Sequence, residues 1–131
     1  MMARMTSPSI TLYGIANCDT VKKARAWLAD AGASVNFHDF RKQGVPEARL
    51  DAWLASAGWQ ALLNRKGTTW RKLDASVQTA VSDAASAKAL MLAQPSVIKR
   101  PVVEWGSAAD AAITVGFDAH RYGQTLAGAV S

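Results

Sequence analysis

Leu12-Tyr13-Gly14-Ile15-Ala16-Asn17-Cys18-Asp19-Thr20-Val21-Lys22-Lys23-Ala24 is the stretch that decides the fold, and it holds the only cysteine in the chain. Just before it, residues 10–13 are β-branched and aromatic and read as a short buried strand. Just after it, Val21, Ala24, Leu28 and Ala31 recur at helical spacing, and Gly32 is a natural stop. Asn17 is a preferred N-cap residue, and Asp19 suits a first helical turn. The pattern therefore predicts Cys18 where a strand hands over to a helix. Backbone N–H groups without intrahelical partners, together with the helix dipole, favour an anion at such a place. A thiolate is an anion, so the turn suits a nucleophilic cysteine. The competing reading is a buried, inert thiol. The glycine upstream and the polar Asn-Cys-Asp turn favour the reactive one.

Composition bounds the rest. The 131 residues fit one domain, read as a loose tail over 1–8 followed by a single domain over 9–131. A chain of this size buries about two thirds of its unfolded surface, enough for a real core. Half the residues are hydrophobic and 19% are charged, an ordinary balance for a globular protein. No apolar run is long enough to span a membrane, and the opening residues lack the apolar core of a secretory signal. One cysteine excludes an internal disulfide and any cysteine-rich metal site, and it fits a reducing, cytoplasmic setting. The net charge of +5 points to an anionic partner without choosing among phosphate, oxyanion, glutathione and nucleic acid.

Residues 34–40 alternate as a second strand, with Val35, Phe37 and Asp39 on one face. Strand, helix and strand joined by short links form a βαβ unit with parallel strands. His38 has no second histidine or cysteine nearby in sequence and reads as an outward strand residue rather than a ligand. Residues 41–44 read as a charged connection. Pro46 then opens a helix whose stripe is Leu50, Trp53, Leu54 and Ala57, and Gly58 ends it. Further helices follow around Leu73, Val77 and Val81, and from Ser82 or Asp83 to Ala93 before Pro95. Residues 46–93 are thus an all-helical block. Strand character resumes over 97–105, turns at Gly106-Ser107, and pairs back over 111–115. A last helix contains Tyr122 and Leu126. The order implies an α/β class: a thioredoxin-like fold with a four-stranded mixed sheet and an all-helical insertion.

At this point a family resemblance emerges. The sequence resembles the arsenate reductase (ArsC)/Spx group and is most similar to its YffB-type branch. The resemblance rests on residues 12–20 and on Leu62-Leu63-Asn64-Arg65-Lys66-Gly67-Thr68-Thr69-Trp70-Arg71-Lys72-Leu73. Ile98-Lys99-Arg100-Pro101 and Gly116-Phe117 complete it. It implies a nucleophilic Cys18 faced by basic residues of the insert and of the segment after Pro95. It also implies departures. Gly14 stands where arsenate reductases of this group carry a histidine, and Lys22 where they carry an arginine. Of the arginines that hold their oxyanion, Arg100 matches one and Arg65 another. The last falls where residues 111–116 hold none. The Cys-x-x-Cys switch of Spx regulators cannot form, because Val21 occupies its second position.

The first expectation is a glutathione-dependent thiol reductase. A single cysteine cannot resolve its own oxidised state, so a second thiol must come from outside, and glutathione is the abundant cytosolic one. Glutaredoxin is a further candidate partner. No tightly bound cofactor and no metal are expected. Cys18 and Arg100 would carry the chemistry. Asn17, Asp19, Lys22, Arg65, Arg71 and Pro101 are candidate contacts for glutathione or for a small anion or thiol substrate. Arg71 reads equally well as a solvated position. Arg100 is conformationally fixed by the proline after it. The thioredoxin-like plan implies a cis Arg100–Pro101 bond, and the two arginines matched by the resemblance imply an anion site bounded by the Cys18 turn, Arg65 and Arg100. The second expectation is an Spx-like, non-catalytic regulator that binds a protein such as RNA polymerase. Nucleic acid itself is not expected, since the lysines and arginines form no continuous run. True arsenate reduction ranks last, for want of the hairpin arginine.

Overall fold

The computed structural model describes residues 9–107 and 111–130, with the main chain alone at 129–130. The expected loose tail over 1–8 lies outside the described residues. The chain packs as two compact units, one formed by the residues up to Arg41 together with those from Arg100, the other by Lys42–Lys99.

The first unit holds the sheet. Its strands are β1 (Ile10–Gly14), β2 (Val35–Asp39), β3 (Val102–Glu104) and β4 (Ile113–Val115), in the order β2-β1-β3-β4. β1 pairs parallel with β2 and antiparallel with β3, and β4 is antiparallel to β3. The sheet is therefore mixed, as the thioredoxin-like reading requires. Helices α1 (Asp19–Asp30) and α8 (Ala119–Val130) belong to this unit. One sheet face and α1 bury Ile10, Leu12, Val21, Ala24, Leu28 and Val103, all fully inaccessible. Val21, Ala24 and Leu28 supply the helical stripe expected of them.

Tyr122 of α8 closes this core. Its ring meets Trp105 and Phe117 edge-on at 5.0 Å and Trp27 at 5.6 Å. Its hydroxyl donates to the Gly116 carbonyl at 2.9 Å. Burial drives the phenol well above its ordinary pKa, against opposing contributions from Thr114 and Arg121. On the opposite sheet face the Tyr13 hydroxyl donates to Glu104 Oε1 at 3.0 Å, both groups buried. His38 is on that face too, half-buried, with its ring 5.0 Å from that of Tyr13.

The second unit is helical, as the insertion required. After α2 (Phe40–Gln43) come α3 (Glu47–Ala57), α4 (Trp59–Leu62), α5 (Thr68–Arg71), α6 (Ala75–Ala80) and α7 (Ala84–Ala93). Leu50 and Trp53 of α3 are fully buried, and Met91 and Ala87 of α7 likewise. Lys88 of α7 pairs with Glu47 and Asp51 of α3 at 2.8 Å each, joining one turn of each helix. Pro46 and Gly58 flank α3 as expected, and Gly58 takes the left-handed φ of +86° that its place at the stop demands.

The structure corrects three local readings. Residues 41–44 are no mere connection, because Phe40 is buried and starts α2. Residues 97–100 are not strand. Pro95–Val97 form a 3-10 turn, and Ile98 makes an isolated antiparallel bridge to Leu63. The β-branched run at 97–98 is apolar because Val97 and Ile98 are buried in the helical unit, not because it joins the sheet. Asn17 is not the N-cap of α1; Cys18 is. No helix among the described residues is long and apolar enough to cross a membrane.

Candidate functional site

Cys18 sits where β1 hands over to α1. Its backbone is extended, φ −130° and ψ 123°, and its carbonyl accepts the Lys22 N–H at 2.9 Å to open the helix. The side chain makes no capping hydrogen bond. It is half-buried, resting against the core at one side and open at the other. Asn17, Asp19 and Lys22 are exposed around it. A small sulfur at the N-cap leaves the first-turn N–H groups available to whatever anion approaches, including the thiolate.

Gly14 sets how closely α1 approaches the sheet. A Cβ built at that position would lie 2.7 Å from Val21 Cγ2, and Val21 is fully buried. The histidine that arsenate reductases carry here has no room in this packing. At the far end α1 stops in a Schellman arrangement. Ala33 N–H donates to the Leu28 carbonyl and Gly32 N–H to that of Ala29, both at 3.0 Å, with Gly32 at φ +78°.

Strand register brings further residues to the Cys18 end of the sheet. β1 and β2 finish together, Gly14 opposite Asp39. β3 begins opposite β1's last residues, Val102 facing Tyr13, and β4 ends with Val115 facing Val102. The main chain leaving β1 toward Cys18 and the main chain entering β3 through Arg100–Pro101 therefore lie at one end of two adjacent strands. The Arg100–Pro101 bond is cis, as expected. Pro101 is buried, and its carbonyl accepts the Gly116 N–H at 2.8 Å. Arg100 is half-buried, its Nε wholly so. In open sheets of this kind, ligands collect at the carboxyl ends of the parallel strands, and this is that end.

Register also adds residues to which the sequence attached no role. Asp39 is buried at the end of β2, and its carboxylate accepts the Arg41 N–H at 2.9 Å. Gly116, at φ +85°, turns the chain out of β4 at the same end. The strand alternation marked Asp39 as a core-face position. Its place beside the Cys18 turn depends on pairing with β1, which sequence spacing does not carry.

The remaining candidates belong to the helical unit. Arg65 and Arg71 are both exposed. Arg65 holds its guanidinium 5.4 Å from the centre of the Trp59 ring, within cation–π range. Together with Asn64, Lys66 and Lys99 it lines a recess of about 250 Å³. Two hydrogen bonds of 2.7 Å, Asn64 N–H to the Val97 carbonyl and Lys99 N–H to that of Leu62, tie its two segments together. Two basic residues of this segment, Arg65 and Lys66, thus share one recess with Lys99. Arg71 ends α5 and does not line it.

Comparison with known proteins agrees with this architecture. The ArsC family profile matches residues 13–125. A Haemophilus influenzae protein, described only as uncharacterized, is 39% identical over 113 residues, spanning 86% of this chain and 95% of its own. Among solved structures, a YffB protein superposes with a TM-score of 0.82 at 47% identity, over 90% of this chain and 99% of its own. An arsenate reductase (ArsC) related protein from Brucella melitensis superposes at 0.69 with 50% identity, over 91% and 95%. In sequence and in fold, the chain belongs to the ArsC family.

Proposed function

We propose that this protein is a glutathione-dependent thiol reductase with Cys18 as its nucleophile. One observation carries the reading: a half-open thiol at the N-cap of α1, beside the Arg100–Pro101 entry to β3, in a chain without a second cysteine. The Cys18 thiolate attacks the glutathione-side sulfur of a mixed disulfide, forming Cys18–S–S–glutathione and releasing the substrate as its thiolate. A second glutathione thiolate then attacks that bond, regenerating the Cys18 thiolate and leaving as oxidised glutathione. The net exchange consumes one free glutathione, trades the mixed disulfide for oxidised glutathione and releases the substrate thiol, so the balance closes with thiols and disulfides alone. The first-turn N–H groups of α1 and the Arg100 charge favour the anion at each stage. The likeness to the arsenate reductase (ArsC) related protein from Brucella melitensis supports reductase chemistry of this general class. Arsenate itself is a poorer fit, since residues 111–116, including β4, carry no basic residue and Gly14 leaves no room for a histidine.

The test is mass spectrometry of the protein after incubation with oxidised glutathione. One glutathionyl adduct per chain is expected, located on Cys18, discharged by added glutathione, and lost in Cys18→Ser. A chain that stays unmodified under conditions that label an ordinary thiol would leave Cys18 without this role and favour a binding function.

A further inference from the structure

Cys18, Lys22, Arg25 and Ala29 fall on one stripe of α1, at spacings of four, three and four residues. That stripe flanks the buried Val21–Ala24–Leu28 stripe on its β2 side. Below it, Arg25 and Ala29 join Ala33, Val35 and Phe37 around a recess of about 190 Å³. The floor is apolar, and among the described residues lining it Arg25 alone is charged. The Arg25 guanidinium rests 4.2 Å above the Phe37 ring. Stacking of this kind holds the planar fork in place and leaves its N–H edge for a carboxylate. Arg25 is exposed and makes no ion pair among the described residues. Among the described residues β2 is an edge strand with β1 as its only strand neighbour, and an edge strand can accept an added extended segment. β2 ends at the Cys18 end of the sheet, and Arg25 lies about 10 Å along the helix axis from Cys18.

We propose that this α1–β2 groove docks an extended segment of the protein substrate, one that alternates apolar and acidic side chains next to its glutathionylated cysteine. The apolar side chain enters the recess, the acidic one meets Arg25, and the segment runs along β2 toward Cys18. Lys22, between Arg25 and Cys18 on the same stripe, extends the positive track. The occupant is a peptide rather than a free anion because most of the recess is hydrocarbon and it adjoins a strand edge. This inference rests on the thiol-reductase reading for the identity of the segment. The docking itself needs no chemistry, so the two fail separately.

The test uses a short fluorescein-labelled peptide of alternating valine and glutamate, with serine in place of the cysteine, and reads binding by anisotropy. A twin peptide carries lysine for glutamate. The parent protein is expected to prefer the acidic peptide. Arg25→Glu is expected to weaken that binding by roughly tenfold and to bind the lysine twin better than the parent does. The same peptides with a glutathionylated cysteine then report turnover. Arg25→Glu should raise KM for the acidic peptide and leave turnover of a glutathione–mercaptoethanol disulfide unchanged. Equal binding of both peptides, or an Arg25→Glu variant that loses both disulfides alike, overturns the docking proposal. So does a concentration-dependent dimer that Arg25→Glu dissolves, since a second copy would then own the groove. Peptide binding with the expected charge preference but no turnover would overturn only the reductase reading.

Discussion

Gly14 and Cys18 are separated by one turn of chain, and the first positions the second. With hydrogen in place of a side chain, β1 can end against Val21, which holds the N-terminus of α1 and therefore Cys18 close to the sheet. Val21 is β-branched and cannot move its Cγ2 without leaving its preferred rotamer. Gly14→Ala is therefore expected to cost roughly 1–3 kcal/mol, the usual toll of overpacking. The urea midpoint should fall, and the rate of Cys18 alkylation should change with it. Val21→Ala in the same chain should recover part of the loss, because the two residues share one contact. A fully additive double variant would show that the clash is relieved elsewhere. At this scale the sequence was informative about Cys18, since a strand, a polar turn and a helical stripe are local patterns. Capping propensity points one residue too early, to Asn17. Asn17 is the better capping type, but the helix begins at Asp19 and so places Cys18 at the cap. The proposed thiol chemistry, rather than capping propensity, would account for a cysteine there.

Among the elements, α7 shows how much a short polar signal can specify. Ser82 and Asp83 both read as its start, and the structure selects Asp83. Asp83 Oδ1 accepts the Ser86 N–H at 2.8 Å, and Ser86 Oγ accepts the Asp83 N–H at 3.1 Å, a reciprocal capping box. The backbone bond from Ser86, and then its hydroxyl, hold the Asp83 carboxyl below its ordinary value of 3.8. A carboxyl depressed in the folded state stabilises the fold above its unfolded pKa and loses that contribution as pH falls through the folded one. Thermal melts of the parent and of Asp83→Ala should therefore differ at neutral pH, with the parent higher. The gap should narrow as pH falls below about 4, where the unfolded carboxyl is already protonated. A gap independent of pH would assign the effect to the backbone and Ser86 rather than to the carboxylate charge. The elements that escaped the sequence are the ones set by distant pairing. Val97 and Ile98 look like strand because they are β-branched, yet the Leu63 bridge and a 3-10 turn claim them. α2 was hidden because four residues are too few for a helical period to declare itself.

For the molecule as a whole, the strand order β2-β1-β3-β4 determines which parts of the sheet unit resist opening. The βαβ start and the closing hairpin are legible locally, but the place of β1 between β2 and β3 is not, since nothing in residues 10–14 names a partner 91 residues away. In the structure that separation is spanned by the Tyr13 hydroxyl bound to Glu104 Oε1. β1 pairs on both edges, so its backbone N–H groups across the shared span find partners on one side or the other. Among the described residues β2 and β4 pair on one edge each, which leaves alternate N–H groups pointing away from the sheet. β1 also carries Ile10 and Leu12, both fully inaccessible, whereas β2 offers only half-buried Val35 and Phe37 to the same core. Burial and double pairing both place β1 at the high end of local stability. Native-state hydrogen exchange should therefore find the Thr11–Tyr13 amides exchanging only through global unfolding, with the same denaturant dependence as the equilibrium transition. Amides of β4, which is three residues long and at the other edge, should exchange faster and through smaller openings. If β1 exchanged as fast as β4, the central strand would not be the most stable part of the sheet. The Cys18 turn would then lack a rigid support on its β1 side, and the fixed thiol geometry on which the reductase reading depends would have to come from α1 alone.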